Sequence, residues 1–157
     1  MNAFETNRNE LKDRHHGTCL FNDTGDGACS GLRVWFNERG HLLGEFPCEE
    51  RYGGYGGLMH GGVLAAVADA AMAQCLMGHG IVAYTARMEL RYLQPVALGG
   101  SLSLRCRITE SALDLVYHVR ADLLKGPTCC VIAKSTFRRV DGDEAAVAAV
   151  CDEVRAC

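Results

Sequence analysis

At 157 residues the chain has the length of one typical domain, with 48% hydrophobic residues, 22% charged residues and a formal net charge of −3. That balance excludes wholesale disorder, and without a basic surplus the chain does not read as a general nucleic-acid binder. Nine cysteines, an odd number with no C-x-x-C pair, follow a polar opening, MNAFETNRNELKDRHHGT. The expectation is therefore reduced thiols in a cytoplasmic protein, with no metal centre and no disulfide framework.

Residues 1–30 read as a polar lead-in followed by a turn-rich segment, with Gly25, Gly27, Asp23 and Asp26 as breakers. The lead-in is expected to be flexible or loosely helical and to stay out of the core. Its His15, His16 and Cys19 read as exposed polar groups, not as metal ligands. Leu32, Val34 and Phe36 then alternate with Arg33, Trp35 and Asn37, and after a turn at 37–40 a second short strand runs through Leu42, Gly44 and Phe46 to Pro47.

Residues 58–79, LMHGGVLAAVADAAMAQCLMGH, read as a long helix that is apolar on nearly all sides. Four runs with strand spacing follow. In the first, Tyr84, Ala86, Met88, Leu90 and Tyr92 alternate with Thr85, Arg87, Glu89 and Arg91. In the second, Leu102, Leu104, Cys106 and Ile108 form the apolar face; in the third, Leu113, Leu115, Tyr117, Val119 and Ala121 do so. The last carries Cys129, Val131, Ala133, Ser135 and Phe137. The short turns at 96–100, 110–112 and 125–128 predict that these four strands are antiparallel neighbours in order. An α+β domain over residues 31–140 is expected, with one helix lying across the apolar face of an antiparallel sheet of five to six strands. The tail, 141–157, has helical spacing from Glu144 onward.

The helix carries a single acid, Asp69, among Ala, Val and Met. An ionised carboxylate is costly in apolar surroundings, so Asp69 should either hold a raised pKa or face a polar cleft. The structural alternative is a core helix whose acid is satisfied by a backbone or arginine partner. A membrane span is not expected, because Asp69, Gln74, His79 and flanking glycines interrupt the run and a central Asp costs about 2.5–3.5 kcal/mol on insertion scales. Ahead of the helix, residues 52–57 (Y-G-G-Y-G-G) let backbone approach whatever occupies the helix start. Free N–H groups and the helix dipole favour an anion or a developing oxyanion there.

Two motifs carry a resemblance. His60-Gly61-Gly62 with Asp69 forms H-G-G-x(6)-D, and Thr85-Ala86, Tyr92 and Pro95 form T-A-x(5)-Y-x-x-P. Together they resemble the hotdog-fold acyl-CoA thioesterases of the phenylacetate-pathway (PaaI-like) type, over roughly residues 30–140. The resemblance implies a long central helix wrapped by an antiparallel sheet, and hydrolysis of an acyl-CoA thioester to free acid and coenzyme A. It makes Asp69 the general base or nucleophile and gives the Gly61 amide the task of polarising the carbonyl. Thr85 would place the acid or its water. His60, Gly62, Gly54, Met72 and Tyr84 are then expected around the substrate. Many members carry Asn or Gln where this chain has Gly54. The resemblance also implies a homodimer, or a tetramer of paired dimers, with sites at the subunit junction. No cofactor is implied beyond the coenzyme A of the substrate, and neither nucleic acid nor membrane is a partner. Strict alternation sets Thr85 on the face away from the helix, so its role calls for a β-bulge or a site at the junction. His60 also suits a helix cap, and Cys75 reads as an inert core thiol. The alternative function is a non-catalytic acyl-CoA binding or sensing protein on the same fold.

Overall fold

The computed structural model describes residues 2–15, 19–21 and 31–140. The expected turns at 22–30, the tail at 141–157 and His16 lie outside the described residues. In chain order the elements are α1 (Ala3–His15), β1 (Arg33–Phe36), β2 (Leu42–Pro47), a 3₁₀ turn (Glu50–Tyr52), α2 (Gly61–Gly78), β3 (Ala83–Tyr92), β4 (Ser101–Ala112), β5 (Val116–Lys125) and β6 (Thr128–Arg139). Among the described residues the strands form one six-stranded sheet in the order β1-β2-β4-β5-β6-β3, with every pairing antiparallel.

Alternation along the strands fixes which side meets the helix. Leu42 and Phe46 of β2, Leu102, Leu104 and Cys106 of β4, Val119, Ala121 and Leu123 of β5, and Val131, Ala133 and Phe137 of β6 are all buried. They close on Leu64, Val67, Ala68, Ala71, Met72, Cys75 and Leu76 of α2 in one continuous core. Ten of the eighteen residues of α2 are buried, so its apolar character is spent on the sheet. The helix ends in a glycine turn: Gly80 adopts φ +75° and its N–H bonds to the Met77 carbonyl at 2.9 Å.

Three expectations are corrected. First, β3 and β4 are not neighbours: β3 pairs with β6 at one edge, while β4 pairs with β2. The strands between them make a gap of about 14 Å at ordinary strand spacing. The connection at 93–100, although short, can cover about 26 Å when extended. It crosses beneath the approach to α2, where Val96 is buried and its carbonyl accepts from the Met59 N–H at 2.8 Å.

Second, Leu113 and Leu115 belong to the β4–β5 turn and not to the strand, and Leu113 is 92% exposed. Leu113 and Asp114 both have positive φ, and the Asp114 carboxylate, bonded by Tyr117 and Arg139, holds the turn. Third, the lead-in is ordered as α1. None of its residues is buried, yet Phe4 stacks on Phe36 at 5.6 Å and lies against His79 at 4.9 Å. Asn7 donates to the Gly78 carbonyl at 3.2 Å, and Arg8 to that of Val34 at 3.0 Å.

The end of α2 is packed closely enough to require a glycine. A Cβ on Gly78 would lie 2.1 Å from Cζ of Phe36, a ring already held by Phe4. Gly78→Ala is therefore expected to cost about 1–3 kcal/mol through overpacking. The thermal midpoint should fall by several degrees, and Phe36→Leu in the same background should recover part of the loss. An unchanged midpoint in the single variant would show that the ring yields freely.

Candidate functional site

Asp69 lies on a stripe of α2 that the sheet leaves half-covered, together with Ala66, Ala70 and Ala73. The edge strand β3 reaches this stripe. Thr85 Oγ1 donates to Asp69 Oδ1 at 2.7 Å, and Asp69 Oδ2 has no partner among the described residues. A hydrogen bond to a charged group contributes about 1.5–3 kcal/mol. Asp69 is thus neither enclosed in the core nor paired with an arginine. One of its oxygens is held and the other is open.

Thr85 reaches the helix because β3 is bulged. The pairing runs Met88↔Ser135, Arg87↔Thr136 and then Thr85↔Phe137, so Ala86 is the extra residue. Ala83 and Thr85 before the bulge, and Met88 and Leu90 after it, take the helix side. Uninterrupted alternation had put Tyr84 on that side. Tyr84 is instead 36% exposed on the opposite face, paired with Arg138, and does not line the space around Asp69. Met72 is fully buried in the core between helix and sheet.

The second group sits at the helix start. His60 is the N-cap, its Nδ1 accepting from the Gly62 N–H at 2.9 Å. The His60 carbonyl accepts from Val63 N–H at 3.0 Å and Leu64 N–H at 3.2 Å. Of the four N–H groups that a helix start leaves over, that of His60 donates to the Tyr52 carbonyl at 2.8 Å, those of Gly62 and Val63 are satisfied as above, and only that of Gly61 has no partner among the described residues. Gly54 lies against this cap: a Cβ there would come within 3.1 Å of His60 Cα. Tyr92 completes the group and was not anticipated as a site residue. Its hydroxyl donates to the Gly61 carbonyl at 2.8 Å and its ring faces the Gly61 Cα. The signal was present in the second motif, where Tyr92 stands at a fixed distance from Thr85.

The structure thus brings Asp69 together with Thr85, and His60, Gly61, Gly62 and Gly54 with Tyr92. It does not bring the two groups together within one chain. Gly61 and Asp69 are eight residues apart on α2, which amounts to about 12 Å of rise and about 80° of rotation.

Residues 56–122 match the family model of the Thioesterase superfamily. Comparison with curated protein sequences returns no match. Among solved structures, the E. coli PaaI protein from the phenylacetic acid degradation operon superposes with a TM-score of 0.73 at 13% identity, covering 89% of this chain and 95% of that one. A Streptococcus mutans protein bound to acetyl CoA gives 0.65 at 19% identity, covering 70% and 89%. A thioesterase superfamily protein gives 0.65 at 22% identity, covering 68% of this chain and 53% of the other, so this chain spans about half of that protein's length. The fold is the hotdog fold that the resemblance implied.

A second side chain on α2 has the character of a nucleophile, and its surroundings silence it. Cys75 is fully buried, and burial pushes its thiol up to about 11 despite opposing hydrogen bonds with the backbone of Leu42 and Ile108. At neutral pH almost none of it is the reactive thiolate. In the native protein at pH 8, Cys75 should resist a thiol-labelling reagent and become labelled only on unfolding, as read by peptide mass spectrometry. Rapid native labelling at Cys75 would restore it as a candidate.

Proposed function

We propose that this chain hydrolyses an acyl-CoA thioester to a free acid and coenzyme A, in a site that two copies of the chain complete. The observation that carries the reading is the 2.7 Å hydrogen bond from Thr85 to Asp69, which orients one carboxylate oxygen and leaves the other open. A purely structural acid on a core helix would have both oxygens bonded or be closed off by an arginine.

A thioester carbonyl is already activated, so catalysis needs a base or nucleophile and a donor for the charge that develops on oxygen. The open oxygen of Asp69 supplies the first. Acting as base, it takes a proton from water as the water attacks the carbonyl carbon; acting as nucleophile, it attacks that carbon itself and the mixed anhydride is then hydrolysed. In either route the C–S bond breaks and the thiolate of coenzyme A leaves to take up a proton. The free Gly61 N–H is the matching donor. Since about 12 Å separates it from Asp69 along one helix, the donor for each Asp69 must come from the α2 of a second copy.

The β3 edge suits that pairing. Its ten residues lie at the open end of the sheet, and an exposed edge of this length calls for a partner. The half-covered stripe beside it carries alanines, which allow close approach of a second helix. Coenzyme A enters as part of the substrate, and no further cofactor is required by this chemistry. The thiols of Cys48, Cys75, Cys106 and Cys130, unpaired and buried, suit a reducing compartment such as the cytoplasm.

Asp69→Asn keeps the shape of the side chain but removes both the base and the nucleophile. On the best substrate from a panel of short, medium, long and aryl acyl-CoAs, thiol release should fall about 10²-fold or more. The thermal midpoint and acyl-CoA binding should be retained. Retained turnover would remove Asp69 from the mechanism, and a collapsed midpoint would return it to a structural role. A wild-type protein that binds acyl-CoA and hydrolyses none of the panel would favour the non-catalytic binding module. Sedimentation is expected to give twice or four times the 17.0 kDa of one chain. A stable monomer with full activity would refute the shared site.

A further inference from the structure

We propose that Ser135 is a positioning residue for Asp69, because its hydroxyl holds the β3 bulge that turns Thr85 toward the helix. Ser135 lies on β6 among Val131, Ala133 and Phe137, on the face that meets α2. It is buried, and its Oγ donates to the Arg87 carbonyl at 2.7 Å. A bulge takes backbone groups out of the ladder, and a carbonyl left over in partly covered surroundings needs a donor. Ser135 places its donor on the carbonyl of Arg87, the residue that follows the inserted Ala86.

The register shows what depends on it. With Ala86 in the bulge, Thr85 stands opposite Phe137 and reaches Asp69. With the bulge closed, Ala86 would stand opposite Phe137 and Thr85 opposite Arg138, on the outer face. A one-residue slip exchanges the faces of every side chain beyond it. Ser135 thereby decides whether a hydroxyl or a methyl group is presented to the carboxylate. It is hydrogen-bonded to neither Asp69 nor Thr85, and acts on them through the backbone of β3.

The kinetic consequence rests on the hydrolase reading above, but the structural consequence does not, so both are measured. The experiment is a cycle of wild type, Ser135→Ala, Thr85→Val and the double variant, each assayed for acyl-CoA hydrolysis. The Asp69 carboxyl resonance is followed by ¹³C NMR at fixed pH. Ser135→Ala is expected to lower kcat about tenfold with little change in KM, as Thr85→Val does. The double variant should be no slower than Thr85→Val alone, and in both single variants the Asp69 resonance should move to the same new position.

Independent losses that multiply in the double variant, or an Asp69 resonance left at its wild-type position in Ser135→Ala, would overturn the proposal. Should Ser135→Ala fail to fold, Ser135→Cys, which keeps the volume and weakens the donor, is read in the same way. A wild-type protein with no hydrolase activity whose Asp69 resonance still responds to Ser135→Ala defeats the functional reading and leaves the positioning role standing. An active wild type whose resonance does not respond defeats the positioning role alone.

Discussion

A carboxylate on a helix of Ala, Val, Leu and Met is tolerable only where some part of the helix surface stays open, and α2 has one such stripe. The sheet covers the remainder, with β2, β4, β5 and β6 contributing the buried layer that meets Leu64, Val67, Ala71, Met72 and Cys75. Asp69 sits on the open stripe, and the strand that arrives beside it is the edge strand β3. Strand order therefore matters to the chemistry. Had β3 paired with β4 inside the sheet, a hydroxyl from it would still have met the helix, but no edge would remain beside the acid for a second copy to approach.

The helix start obeys a similar economy of donors. A helix leaves several N–H groups without partners, and a start that leaves all of them open gives no reason to single out one. Here the Tyr52 carbonyl takes the His60 N–H, the His60 ring takes that of Gly62 and its carbonyl that of Val63, so among the described residues the only donor left is that of Gly61. Tyr92 fixes the same peptide from the carbonyl side, at the far end of the strand that brings Thr85 to Asp69. One strand thus contacts both halves of the site, through residues seven apart in sequence.

Much of this was legible in the sequence because side-chain period reports on burial. The helix and the inward faces of β2, β4 and β6 follow from apolar spacing, and His60 could be read as a cap from its position before the first helical residue. What alternation cannot report is a break in its own period. The extra residue at Ala86 moved Thr85 inward and Tyr84 outward. Nor does alternation mark where a strand stops: positive φ at Leu113 and Asp114 put Leu113 and Leu115 in a turn after they had been counted into a strand. Strand order was also hidden, since a short connection favours neighbours and nothing local marks 93–100 as a crossing. Ser135 was visible as a serine in an apolar register. Its partner, the Arg87 carbonyl, lies 48 residues away and depends on a pairing that the sequence does not display.

The separation of the two half-sites follows from helix geometry and constrains every catalytic scheme for this chain. A thioester carbonyl is a group of a few ångströms, whereas the rise from Gly61 to Asp69 is about 12 Å, and no side-chain rotation brings a backbone N–H across that distance. On the hydrolase reading, two α2 helices must then run in opposite directions past each other, so that each start meets the other's acid. A two-fold axis across the β3 edge would do this with one contact repeated twice, and would give two equivalent sites for a single interface. Such a site would couple assembly to activity without any moving part. The separated chain would keep its core, its bulge and the Thr85–Asp69 hydrogen bond, and would lack only the donor for the oxyanion.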